Sequence, residues 1–175
     1  MNKSSPAYLA LFLAVTAGIA GGALYSANAL TDPVIKANAE KAEKASLLEM
    51  YPDASIDDFV VVDAEDIIAQ HPSVQGVYKY GDDIVIFKNS VSGYDGGTVF
   101  LVAINATDDT IDSFKAISNG DTKGIGSKIT ENAYAESLAG KQASGELDTI
   151  SGATLTSTPV VAAINECATI APTVE

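Results

Sequence analysis

Residues 147–159, "LDTISGATLTSTP", set a Gly-Ala pair among six hydroxyl side chains: Thr149, Ser151, Thr154, Thr156, Ser157 and Thr158. A run of helical character follows directly. Three chemistries use such a cluster. Serine-type nucleophilic catalysis needs a base beside the hydroxyl, and the sole histidine, His71, lies in the proline-flanked "AQHPSV", which argues against a hydrolase. A non-covalent phosphate nest suits Ser151, Gly152, Ala153 and Thr154 better, because small residues let backbone N–H groups approach an anion ahead of a helix whose dipole favours it. The third is permanent attachment of a phosphate-linked group to one hydroxyl. A plain capping cluster on a loop draws on the same residue types.

Two further stretches bear on the choice. "NSVSGYDGGTVFLVAI" (89–104) places Gly93, Gly96 and Gly97 around Tyr94, and "SNGDTKGIGSKI" (118–129) gathers Gly120, Gly124 and Gly126. Glycines let backbone approach a flat ligand or turn with positive φ. Each loop alone is equally well read as a turn.

Composition narrows the classes. The chain has 10 cationic residues, all lysine, against 23 acidic ones, a net charge of -13, which repels phosphate backbones and excludes nucleic acid as a natural partner. One cysteine, Cys167, and one histidine rule out an internal disulfide, a cysteine-rich cluster and a multi-histidine metal centre within the chain. Any redox role therefore needs an organic cofactor. Cys167 falls in an apolar helical pattern and reads as core, and His71 reads as a loop residue.

The elements that must position these loops follow from patterning. From Ser4 to Thr31 no residue is charged, and Ala7–Leu30 exceeds the about 20 apolar residues a membrane-crossing helix requires. Ala27-Asn28-Ala29 has the form of a signal cleavage site, but the run is longer than a signal core, so an uncleaved anchor is expected. Lys3 is the one side-chain charge before it, and a short head inside with the acidic domain outside is the simpler topology. A break is expected at Asp32-Pro33, then a stalk helix with a Glu40–Lys44 pair. Strands are expected over 58–64, 74–80, 83–89, 97–105 and 110–118, with turns at "YGDD" and "NATDDT", a short helix over 128–141, and a last helix capped by Thr158 with Pro159 at its first position. The fold class is α+β: a small antiparallel sheet with packed helices, preceded by one N-terminal transmembrane helix. The expected domains are the anchor (1–31), the stalk helix (32–55) and the C-terminal domain (56–175).

The order of elements and motifs resembles the FMN-binding domain family shared by the G subunit of the Rnf electron-transport complex and the C subunit of the sodium-translocating NADH:quinone reductase. The resemblance rests on the N-terminal span, Thr31, Pro33 and Ile35 after it, Gly93, Tyr94 and Gly96, a loop of the family's E-T-P-G-L-G form, and the D-x-x-S-G-A-T motif. That last motif is complete as Asp148, Ser151, Gly152, Ala153 and Thr154. The loop departs from the pattern, with Asp121, Lys123 and Ile125 in place of Glu, Pro and Leu.

The resemblance, closest to the Rnf subunit, implies a redox subunit of a membrane ferredoxin:NAD oxidoreductase coupled to ion translocation, not a stand-alone enzyme. It implies FMN joined through its phosphate to Thr154 by a flavin transferase, and other membrane subunits as partners. Gly124, Ile125 and Gly126 would pack on the ring, and Tyr94, Gly96, Thr122, Thr156 and Lys128 complete the expected cofactor-binding set. Neither a catalytic residue nor a metal ligand is assigned. A membrane-anchored binding or scaffolding module of the same fold without flavin is the alternative.

Overall fold

The computed structural model describes residues 6–174. Lys3 and Ser4, which enter the anchor argument, lie outside them. The chain divides into two compact units, Met1–Ala42 and Glu43–Glu175.

Helix α1 runs Pro6–Met50. Leu11, Phe12, Leu13, Ile19 and Leu24 are all exposed along it, and the helix is long and apolar enough to cross a membrane. The break expected at Asp32-Pro33 is absent, since the helix continues through Pro33. An internal proline removes one hydrogen bond and crowds the preceding turn, and two local contacts offset this. The Thr31 hydroxyl donates to Ala27 O at 2.9 Å, and Lys36 pairs with Asp32 at 2.8 Å. That i,i+4 pair forms in place of the expected Glu40–Lys44 pair.

The second unit is an α+β fold on an antiparallel sheet of five strands in sequential order, β1 (Phe59–Val62), β2 (Val74–Tyr80), β3 (Ile84–Ser92), β4 (Gly97–Asn105) and β5 (Thr110–Asn119). The turns carry the left-handed backbone that sharp reversals need, at Gly81 (φ 66°) and Asp109 (φ 59°). Three helices follow the strands' punctuation: the short α2 (Glu65–Gln70), unanticipated from the sequence, α3 (Asn132–Leu138) and α4 (Thr154–Ile170). A 3₁₀ turn, Gly126–Thr130, precedes α3.

Alternation along the central strands sends side chains to two buried faces. Phe87, Phe100, Val102, Ile104 and Phe114 pack with Tyr134 and Leu138 of α3 and with Val160, Ile164 and Cys167 of α4. On the opposite face Ile86, Leu101 and Ala103 meet Leu47, from the end of α1, and Phe59. Both faces are thereby closed to water, and the ends of the strands are left to carry loops.

Candidate functional site

Strand pairing brings the two glycine loops to one end of the sheet. Ser92 lies opposite Gly97 across the β3–β4 hairpin, and Thr98 lies opposite Asn119 on β5. The loop 93–96 therefore sits beside the chain leaving β5. Their backbones touch: a Cβ added to Gly96 would lie 2.7 Å from Gly120 Cα. Gly120 N–H donates to Gly97 O at 2.9 Å.

Asp121 closes this corner. It is 7% exposed, and its Oδ1 accepts the N–H groups of Asp95 (2.8 Å) and Gly96 (2.9 Å). Its Oδ2 accepts the Thr156 hydroxyl at 2.5 Å. Burial pushes the carboxyl up, but the bonds from Thr156, Gly96, Asp95 and Asn119 outweigh it and hold the group below the usual aspartate range. A Cβ on Gly93 would meet Asp121 Oδ2 at 2.2 Å, and one on Gly126 would meet Asp121 Cβ at 2.4 Å. Both glycines are thus required by this carboxylate, whatever else the loops hold.

Helix α4 begins at Thr154, five residues earlier than expected, with Ala153 as its N-cap and Pro159 inside it. Thr158 is therefore not the cap; it is exposed within the helix. The hydroxyls that fix the first turn are the buried ones. Ser157 Oγ accepts Ile150 N–H at 2.9 Å and donates to Ala153 O at 3.1 Å, while Thr156 reaches Asp121. The N–H groups of Thr156 and Ser157 both bond Ala153 O, leaving those of Thr154 and Leu155 without a backbone acceptor among the described residues. Thr154 is exposed at the helix entrance, beside Gly152, whose φ of 80° turns the chain into the helix.

These loops and the helix entrance enclose a cavity of about 420 Å³ lined by Tyr94, Asp121, Thr122, Ile125, Gly126 and residues Gly152 to Thr156. Three of its large side chains face solvent: Tyr94 is 74% exposed, Ile125 52% and Leu155 65%. An apolar rim around a few polar groups is the usual composition of a small-molecule site, and the volume falls within the about 300–1,000 Å³ of such pockets.

Of the residues expected from the sequence, the cavity brings together Tyr94, Thr122, Ile125, Gly126, Gly152, Ala153, Thr154 and Thr156. Gly96 lies behind the wall, against Gly120. Gly124, with φ 80° and open space around it, Lys128 and Ser151 are exposed outside the lining. Asp148 pairs with Lys141 at 2.6 Å, and that lysine holds its carboxyl below the usual range. Asp121 and Leu155 line the cavity without having been singled out as binders. The signal for Asp121 was its place among glycines, and for Leu155 an apolar residue between two threonines.

Residues 93–169 match the family model described as the FMN-binding domain. No curated protein matches the chain. Among solved structures, the crystal structure of Shewanella oneidensis NqrC aligns at 23% identity with a TM-score of 0.46, covering 51% of this chain and 53% of that one, about half the length of each. The segment that forms both glycine loops, the cavity and nearly all of α4 is thus similar to the FMN-binding domain.

Proposed function

We propose that the chain is a membrane-anchored electron-transfer subunit that carries FMN covalently through its phosphate on Thr154. The observation that carries this reading is the meeting, in one cavity, of an exposed Thr154 at the entrance of α4 with the solvent-facing Tyr94, Ile125 and Leu155. The residues fit the group. The helix entrance supplies free N–H groups and the positive end of the dipole for a phosphate, and Tyr94, Ile125 and Leu155 offer apolar contact to a flat ring. Lys123, next to the lining residue Thr122, would offset anionic charge.

When bound, FMN supplies one- and two-electron chemistry, and the chain supplies place and electrostatics. Attachment forms an ester between Thr154 Oγ and the FMN phosphorus while the phosphoanhydride to AMP in FAD breaks. AMP leaves, and the hydroxyl proton passes to a base on a flavin transferase acting with Mg²⁺. A threonine hydroxyl is a weak nucleophile unaided, so attachment requires that enzyme.

The Rnf-type assignment, with ferredoxin and NAD as the complex's donor and acceptor, other membrane subunits as partners, coupled ion translocation and the soluble unit outside the cytoplasm, belongs to the same proposal. It rests on the motif order and the uncharged run of α1. Co-expression with a flavin transferase tests the flavin reading. Flavin fluorescence that stays with the chain in a denaturing gel is expected, and a colourless, non-fluorescent chain means a binding module of this fold without flavin.

A further inference from the structure

Helix α4 enters its first turn with alanine at the N-cap and no side-chain cap. A helix start of this kind frays unless something else holds it. Two side chains within the first turn do so, Ser157 from inside its own segment and Thr156 across to Asp121. The second bond is the long-range one. It reaches a carboxylate whose other oxygen holds the two amides after Tyr94. One buried carboxylate therefore sets the position of the helix entrance bearing Thr154 relative to the loop bearing Tyr94.

From this geometry we infer that Asp121 and Thr156 act as a positioning pair that presents the Thr154 hydroxyl to the incoming FMN phosphate. The inference rests on the flavin reading above. Neither residue reacts. The bond formed and the bond broken are those already given, at Thr154 Oγ and in the FAD phosphoanhydride. Asp121 is suited to the role because it only accepts. The Asp95 and Gly96 amides and the Thr156 hydroxyl converge on it, and the missing side chains at Gly93 and Gly126 give it the space it occupies. Thr156 is suited because it donates from the helix turn that carries Thr154, one residue beyond Leu155. Thr156 is 1% exposed, so its own hydroxyl is not the one offered to a phosphate.

The test uses the purified full chain in detergent with flavin transferase, Mg²⁺ and FAD, following covalent incorporation with time, the site of attachment by peptide mass, and the melting temperature. Thr156→Val, which keeps shape and removes the donor, is expected to slow incorporation at saturating FAD at least tenfold, with KM for FAD unchanged and the flavin still on Thr154. Thr156→Ser restores most of that loss. Asp121→Ala with Thr156→Val is no slower than Asp121→Ala alone, because the two act as one unit. Should Thr156→Val fail to fold, Asp121→Asn decides the matter, with incorporation at least threefold slower expected. Thr156→Val modified at the wild-type rate, Thr156→Ser as slow as the valine variant, or a folded Asp121→Asn at the wild-type rate overturns the inference while leaving the flavin reading standing. A wild-type chain that takes no FMN overturns both.

Discussion

Lys88 Nζ lies 2.6 Å from Glu43 Oε2, and the Glu43 side chain is only 9% exposed. The other carboxylate oxygen accepts the Tyr78 hydroxyl. An ion pair in this setting stabilises little against an apolar replacement, yet removing one partner strands a buried charge. Lys88→Met is therefore expected to destabilise the second unit by about 3 kcal/mol, and Lys88→Met with Glu43→Leu to recover most of it. Denaturant unfolding of the three proteins measures this. Equal stability of the single and double variants contradicts it.

Gly93→Ala is expected to cost about 1–3 kcal/mol by overpacking, because its Cβ falls 2.2 Å from Asp121 Oδ2. Gly76→Ala, where the nearest atoms are 3.9 Å away, serves as the control and should stay within about 0.5 kcal/mol of wild type. A Gly93→Ala protein as stable as the Gly76→Ala protein removes Asp121 from the corner described above.

The strands were legible because each is an apolar run bounded by turn residues, and the hydrophobic-in pattern of "GTVFLVAIN" admits little else. The start of α4 was not. Sequence rules favour Thr158 before Pro159, whereas Asp121, distant in sequence, holds Thr156 and lets the helix begin at Thr154. The continuation of α1 through Pro33 was hidden for a similar reason, since proline is read as punctuation unless neighbouring contacts restore the turn. The glycine loops were recognised, but their cause was only half visible. Gly93, Gly96 and Gly126 are fixed by a carboxylate and a crossing backbone, while Gly124 answers to a positive φ.

The carboxyl of Asp121 is held below its ordinary value of 3.8 in the folded chain. Its contribution to stability is therefore complete above that value and is lost as pH falls through the lower, folded-state value. Thermal unfolding followed from pH 7 to pH 2 should show a wild-type acid limb steeper than that of Asp121→Asn, with the two curves converging at the acid end. Parallel curves across the whole range contradict the assignment.

Cys167 is fully buried, with its Sγ 3.5 Å from Asn89 Oδ1. Burial, opposed by Asn89 and reinforced by Glu166, pushes the thiol up to about 12. No thiol should react with a disulfide reagent at pH 8 in the native chain, and one should react after denaturation. Rapid native labelling would place Cys167 outside the core.

The central claim is that Thr154 carries the flavin. The most direct measurement is the intact mass of the full chain co-expressed with a flavin transferase, beside the Thr154→Val and Thr156→Ser chains. A gain of one FMN less one water is expected for wild type and for Thr156→Ser, and none for Thr154→Val. A wild-type chain without the added mass, or a Thr154→Val chain that still carries it, contradicts the account.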